Sequence, residues 1–161
     1  MLRTTLILCT LLAVAATSLG FRAATGTSIL QQDASAVRFS AIDVVLTLPD
    51  GSELGSYQIE LAPLDNKLAR VRVVGIEGGE HESFKTPPFY DPAAIGHERV
   101  IIAAYSTAEE LPAGRSRIAR VHYEITGRGE LPALDQLIEV RASLTTDPAG
   151  ETINAAPTLT P

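Results

Sequence analysis

Tryptophan is absent from this chain of 161 residues, and cysteine occurs once, at Cys9. Without tryptophan, the broadest ring surface for stacking against a sugar is missing. Cys9 lies inside an apolar run near the N-terminus, so the rest of the chain has neither a disulfide framework nor a thiol nucleophile. Basic runs are also missing: 13 Lys and Arg stand against 19 Asp and Glu, a net charge of −6. Loss of residues 1–24 would remove Arg3 and Arg22 and no acid, taking −6 to −8. A chain this acidic has no general attraction for phosphate backbones, so no nucleic acid partner is expected. There is no G-x-S-x-G, no phosphate-cradling glycine loop, no H-E-x-x-H and no D-x-[DN]-x-[DN]-G loop. No catalytic residue, metal or cofactor is expected, and binding rather than catalysis is the anticipated role.

The N-terminus is more informative. Arg3 precedes an apolar stretch from Leu6 to Leu19, with small residues at Ala13, Ala15 and Ala16. This is the pattern of a secretory signal, cut between about Ala15 and Ala24. The run also approaches the roughly 18 to 20 residues that span a bilayer, so an uncleaved anchor helix is the second reading. Either way the rest of the chain is expected outside the cytoplasmic membrane: secreted, periplasmic or at the cell surface. Membrane contact is expected only through an uncleaved N-terminal segment. Residues 25–36 are small and polar and read as a flexible tether.

From Val37 onward the apolar period is two. Tyr57, Ile59 and Leu61 alternate with polar residues, as do Ala119, Val121, Tyr123 and Ile125, and then Ile138, Val140, Ala142 and Leu144. Each run predicts a strand with one face on a core and one in water. Val100 to Ala104 is apolar throughout and predicts a strand covered on both sides, with Ile101 between the sheets beside Val121 and Val140. The phase slips between Ala69 and Ile76, which predicts a bulge near Val73 that turns Val74 and Ile76 to the other face. Pro49-Asp50-Gly51, Gly78-Gly79, Pro112-Ala113-Gly114, Gly127-Arg128-Gly129 and Asp147-Pro148-Ala149-Gly150 punctuate the runs with turn chemistry. Asp91–Ile95 and Thr107–Leu111 allow single helical turns at most. The expectation is all-β: an antiparallel sandwich or barrel of about seven to nine strands over residues 37–156, with a frayed tail at 157–161.

The order of these segments is similar to that of cohesin-like domains of secreted bacterial proteins. The resemblance rests on Leu68 to Gly79 rising to a glycine corner, on the strand Val100 to Ser106, and on Leu111-Pro112-Ala113-Gly114 opening the strand Arg117 to Ile125. It spans roughly Val37 to Ala155. It implies a jelly-roll β-sandwich related to carbohydrate-binding modules, and a partner docked through one sheet face. The partner implied is dockerin-like or another envelope protein, in a polysaccharide-degrading or envelope setting. A single module with no dockerin, enzyme domain or sorting signal departs from the family's usual arrangement, and the departure touches the partner more than the fold.

The docking face expected from the strand phase is Arg120, His122 and Glu124 on one strand, with Glu139 and Arg141 beside them across the next hairpin. A solvated ladder of opposite charges is the plainer reading of the same residues. Direct polysaccharide binding is the alternative function, through Phe89 and Tyr90 in the proline-rich loop, whose plainer reading is a loop packed over the sandwich end. A structural subunit of an envelope or appendage complex is the third. His81, among Glu80 and Glu82, and His97, beside Glu98, read as solvated loop residues without ligand spacing. Glu77, Glu80, Glu82, Glu109 and Glu110 read as loop carboxylates rather than a pair facing across a cleft.

Overall fold

In the computed structural model the described residues are 35–65 and 69–161. The segment expected to be a signal or anchor and most of the expected tether lie outside them. Seven strands form: β1 Ser35–Thr47, β2 Ser56–Pro63, β3 Ala69–Gly78, β4 Val100–Tyr105, β5 Arg115–Arg128, β6 Ile138–Thr146 and β7 Thr158–Thr160. Helical structure among the described residues is confined to single 3-10 turns at Glu82–Phe84, Pro92–Ala94 and Leu134–Gln136. None of their helices is long and apolar enough to cross a membrane.

The strands make two antiparallel sheets, one in the order β3-β5-β1-β7 and one in the order β4-β2-β6. Consecutive strands alternate strictly between the two sheets, so no connection is a simple hairpin within one sheet. The inward phases meet in one apolar core. Ile42, Val44, Val71, Val73, Val121, Tyr123 and Ile125 come from the first sheet; Tyr57, Ile59, Leu61, Val100, Ile102 and Ile138 come from the second. The Tyr57 hydroxyl crosses the core and donates to the Ile118 carbonyl oxygen at 3.0 Å. Two of the anticipated turns close as expected: Ser52 N donates to Pro49 O at 3.1 Å and Gly150 N to Asp147 O at 3.0 Å, with Gly51 and Gly150 at positive φ.

Bulges account for most of the differences from simple alternation. On β3 the register slips between Val73 and Gly75, so Val74 is the extra residue. Val71 and Val73 are buried, Val74 is exposed, and Ile76 is returned to the core rather than turned away from it. On β6 the register with β2 slips opposite Glu60/Leu61, leaving Arg141 as the extra residue. The phase inverts there: Ile138 is buried and Val140 half-buried, but Ala142 and Leu144 face solvent while Thr145 turns inward. Val140 therefore sits at the margin of the core instead of between the sheets.

Strand β4 is also not covered on both sides. It lies at the edge of the three-stranded sheet, and Val100, Ile102 and Ala104 point to the core; Ile101 faces out. The strand reads as continuously apolar because both of its faces carry apolar side chains. At the ends, Ser35 and Ala36 already belong to β1. Thr158 to Thr160, expected to fray, pair as β7 with Asp43 to Val45.

Candidate docking face

The outer face of the four-stranded sheet carries the charged residues singled out on β5. Strand pairing sets Arg120 between Asp43 and Glu77, His122 between Ala41 and Gly75, and Glu124 between Phe39 and Arg72. Arg120 donates from Nε to Asp43 Oδ1 at 2.6 Å and from Nη2 to Asp43 Oδ2 at 2.9 Å. That hydrogen bond holds the Asp43 carboxyl below the usual carboxylate range, against a smaller opposing effect of burial. His122 Nε2 lies 2.8 Å from Glu77 Oε1, and Arg72 Nη2 donates to Glu124 Oε1. Each of these three β5 side chains is thus answered by a neighbour on β1 or β3. The charge ladder exists, but within this sheet and not with β6.

Glu139 and Arg141 do not join it. They lie on β6, in the other sheet, because the segment from Gly129 to Leu137 crosses between the layers instead of forming a hairpin. There they pair with each other, Arg141 Nη2 donating to Glu139 Oε1 at 3.0 Å. The five residues expected to form one face are split between the two sheets.

The outer face of the three-stranded sheet has a different character. Pairing places Leu144, Gln58 and Ala103 in one row, and Phe89 continues it through an isolated antiparallel bridge to Ala103. Ile101 and Tyr105 flank Ala103 on the same face of β4. Phe89 is 75% exposed, Tyr105 70%, Leu144 52% and Ile101 40%. Four adjacent chains about 4.8 Å apart give a surface roughly 14 Å wide. Its polar groups are largely committed. Ser56 and Thr146 hydroxyls meet at 2.8 Å, and Arg99 Nε donates to Glu60 Oε1 at 2.7 Å. This side of the sheet is apolar at several points and rimmed by paired polar groups, the combination found where surfaces associate.

Phe89 and Tyr90 do not act as a pair. Phe89 points out along the edge of β4, whereas Tyr90 packs against the core. The second exposed ring near Phe89 is that of Tyr105. The strand phase gave a cue to Tyr105, since Ile101, Ala103 and Tyr105 share one parity, but apolar residues on both parities hid it. His81 caps the turn at Glu82–Phe84, its Nδ1 accepting from Ser83 N at 3.3 Å. His97 is exposed, and its carbonyl accepts from Val73 N at 2.8 Å. Glu77 stands on β3 and not in a loop. Among the described residues no group of three or more metal-capable side chains converges. No family model, no curated protein and no solved structure matches the chain.

Proposed function

We propose that this chain is a non-catalytic, exported binding or assembly module that docks a protein partner on the outer face of its three-stranded sheet. The observation that carries this reading is the group of exposed Phe89, Ile101, Tyr105 and Leu144 around Ala103 and Gln58. Burying large rings and branched chains on an exposed sheet face supplies the centre of an interface, and aromatic residues there contribute most of the energy. The opposite face has its charges paired internally, so a partner would gain little by meeting them. Repeated crossing between two layers is a feature of Greek-key and jelly-roll sandwiches, and it supports the cohesin-like reading of the domain. The setting proposed is the cell envelope or extracellular polysaccharide degradation, with a dockerin-like or envelope protein as partner.

The test is capture from an envelope fraction with the exported protein as bait. Tyr105→Ala with Leu144→Ala should abolish recovery of the partner while leaving the β-rich circular dichroism spectrum intact. Arg120→Glu should leave recovery unchanged. The opposite result, capture lost with Arg120→Glu and kept with the double variant, would return the docking face to the four-stranded sheet.

The position of exposed Phe89 and Tyr105 on one sheet face also favours a second reading, direct polysaccharide binding. Two rings separated by a diagonal cross-strand step can stack against successive sugar units. Affinity electrophoresis in polysaccharide gels separates the two. A sugar-binding face would be retarded by the gel, and Phe89→Ala with Tyr105→Ala would release it, whereas Leu144→Ala would matter little.

A further inference from the structure

We infer that the N-terminal half of β1 is a self-association edge, on which a second copy of this chain pairs antiparallel about Phe39. β7 covers β1 only from Asp43 to Val45. From Ser35 to Ile42, β1 pairs with β5 on one side and has no backbone partner on the other among the described residues. An open run of this length is a template for another strand, and proteins usually blunt it with charge, proline or a covering element. Among the described residues one such device stands here, the charge of Arg38, and it is tied to the neighbouring loop. The run Ser35-Ala36-Val37-Arg38-Phe39-Ser40-Ala41-Ile42 has no proline and no acid. Its one charge, Arg38, is turned aside, its guanidinium donating to the carbonyl oxygens of Leu131 and Pro132. Val37 and Phe39 stand on the outer face, 58% and 67% exposed.

Two features point to a second copy as the occupant. The first is charge. The chain carries −6, and acids lie on the outer faces of both sheets, including Glu77 and Glu124 on one and Glu60 on the other. The open run of β1 is where two such molecules can meet without opposing carboxylates. The second is register. Across a twofold axis perpendicular to the sheet, opposed residues must share a face. Centring the axis on Phe39 sets Phe39 against its own copy, Val37 against Ala41, Arg38 against Ser40 and Ala36 against Ile42. This register fills the open run and ends where β7 begins at Asp43. It also brings the two aromatic rings together and keeps the arginines off one another, both favourable for a cross-strand pair. Centring on Arg38 would instead oppose the two arginines. The result is a continuous sheet, β3-β5-β1 of one copy joined to β1-β5-β3 of the other, that leaves the outer face of the three-stranded sheet free.

The test uses the full chain. Sedimentation equilibrium should show a dimer that Phe39→Asp converts to monomer with its circular dichroism spectrum unchanged. In a Cys9→Ala background, Phe39→Cys should form a covalent dimer under mild oxidation, because directly opposed residues lie about 4.5 to 5.5 Å apart, within disulfide reach. Ala108→Cys, exposed in a loop, should not. Val37→Cys should fail to link to itself but should link to Ala41→Cys when the two proteins are mixed. A wild-type chain that stays monomeric at its highest soluble concentration, or Phe39→Cys that links no better than Ala108→Cys, overturns the proposal. Self-linking by Val37→Cys overturns its register.

Discussion

Arg120 grips Asp43 with two nitrogens, Nε to Oδ1 at 2.6 Å and Nη2 to Oδ2 at 2.9 Å, across directly paired positions of β5 and β1. The planar fork matches the carboxylate, and Arg117 Nε stands 3.9 Å from Asp43 Oδ1. The folded-state pKa of Asp43 is therefore lowered, first by the Arg120 hydrogen bond. A depressed carboxyl pKa contributes stability that is full above the unfolded value of about 3.9 and is lost as pH falls through the lower folded value. Arg120→Ala should cost about 1 kcal/mol at neutral pH, the pair being only partly shielded from solvent. Urea denaturation of wild type and variant should show that gap closing in acid. A gap that persists unchanged once Asp43 is protonated would mean that Arg120 acts through packing and not through charge.

Ile101 and Ile102 are adjacent and chemically identical, yet β4 turns them to opposite sides. Ile102 is fully buried and Ile101 faces solvent. Ile102→Ala should destabilise by about 2 to 5 kcal/mol, as expected for a large residue lost from a packed core. Ile101→Ala should stay within about 0.5 kcal/mol. Equal costs in chemical denaturation would show that the outer face of β4 is covered after all.

That pair marks the limit of what the sequence makes legible. Where one parity is apolar and the other polar, as at Tyr57, Ile59 and Leu61 or Val121, Tyr123 and Ile125, the strand and its buried face can be read directly. The turns at Gly51, Gly114, Gly129 and Gly150 are equally plain, and each of these glycines has positive φ. Where both parities are apolar, as in β4, alternation carries no phase, and the exposed side goes unseen. A single bulge residue, Arg141, reverses every later side chain of β6 and brings Leu144 to the surface. Long-range pairing is harder still. The charges on β5 are visible in the sequence, but their partners Asp43, Glu77 and Arg72 come from strands about 40 to 80 positions away in the chain. Assuming a β5–β6 hairpin therefore assigned them the wrong neighbours.

Two glycines of β3 differ in what surrounds them. A methyl group on Gly78 would fall 1.9 Å from the Lys85 carbonyl oxygen and 2.4 Å from its carbon, backbone atoms held by the turn at Glu82–Phe84. On Gly75 the nearest atom, His122 Cδ2, is 3.7 Å away, an ordinary contact. Gly78→Ala should destabilise by about 3 kcal/mol, since the whole corner must move. Gly75→Ala should change stability by less than about 0.5 kcal/mol. Comparable melting temperatures for the two variants would contradict the close approach of the Gly78 corner to Lys85.

Two tyrosines in the core offer the last contrast. Both phenols are buried, which pushes their pKa values up and keeps them neutral. Tyr57 donates to the Ile118 carbonyl oxygen at 3.0 Å, while its ring packs on Phe84 with centroids 5.6 Å apart. Tyr123 OH has no hydrogen-bond partner among the described residues. Phenylalanine keeps the ring and removes only the hydroxyl, so the two substitutions isolate opposite situations. Tyr57→Phe breaks a bond between the sheets, at a cost of about 1 to 2 kcal/mol. Tyr123→Phe removes a polar group that was desolvated without return, so it should be neutral or stabilise by up to about 1 kcal/mol. Thermal unfolding of the two single variants decides the matter. If Tyr123→Phe proves the more damaging, its hydroxyl is engaged, and the centre of the core between the two sheets is polar and not dry.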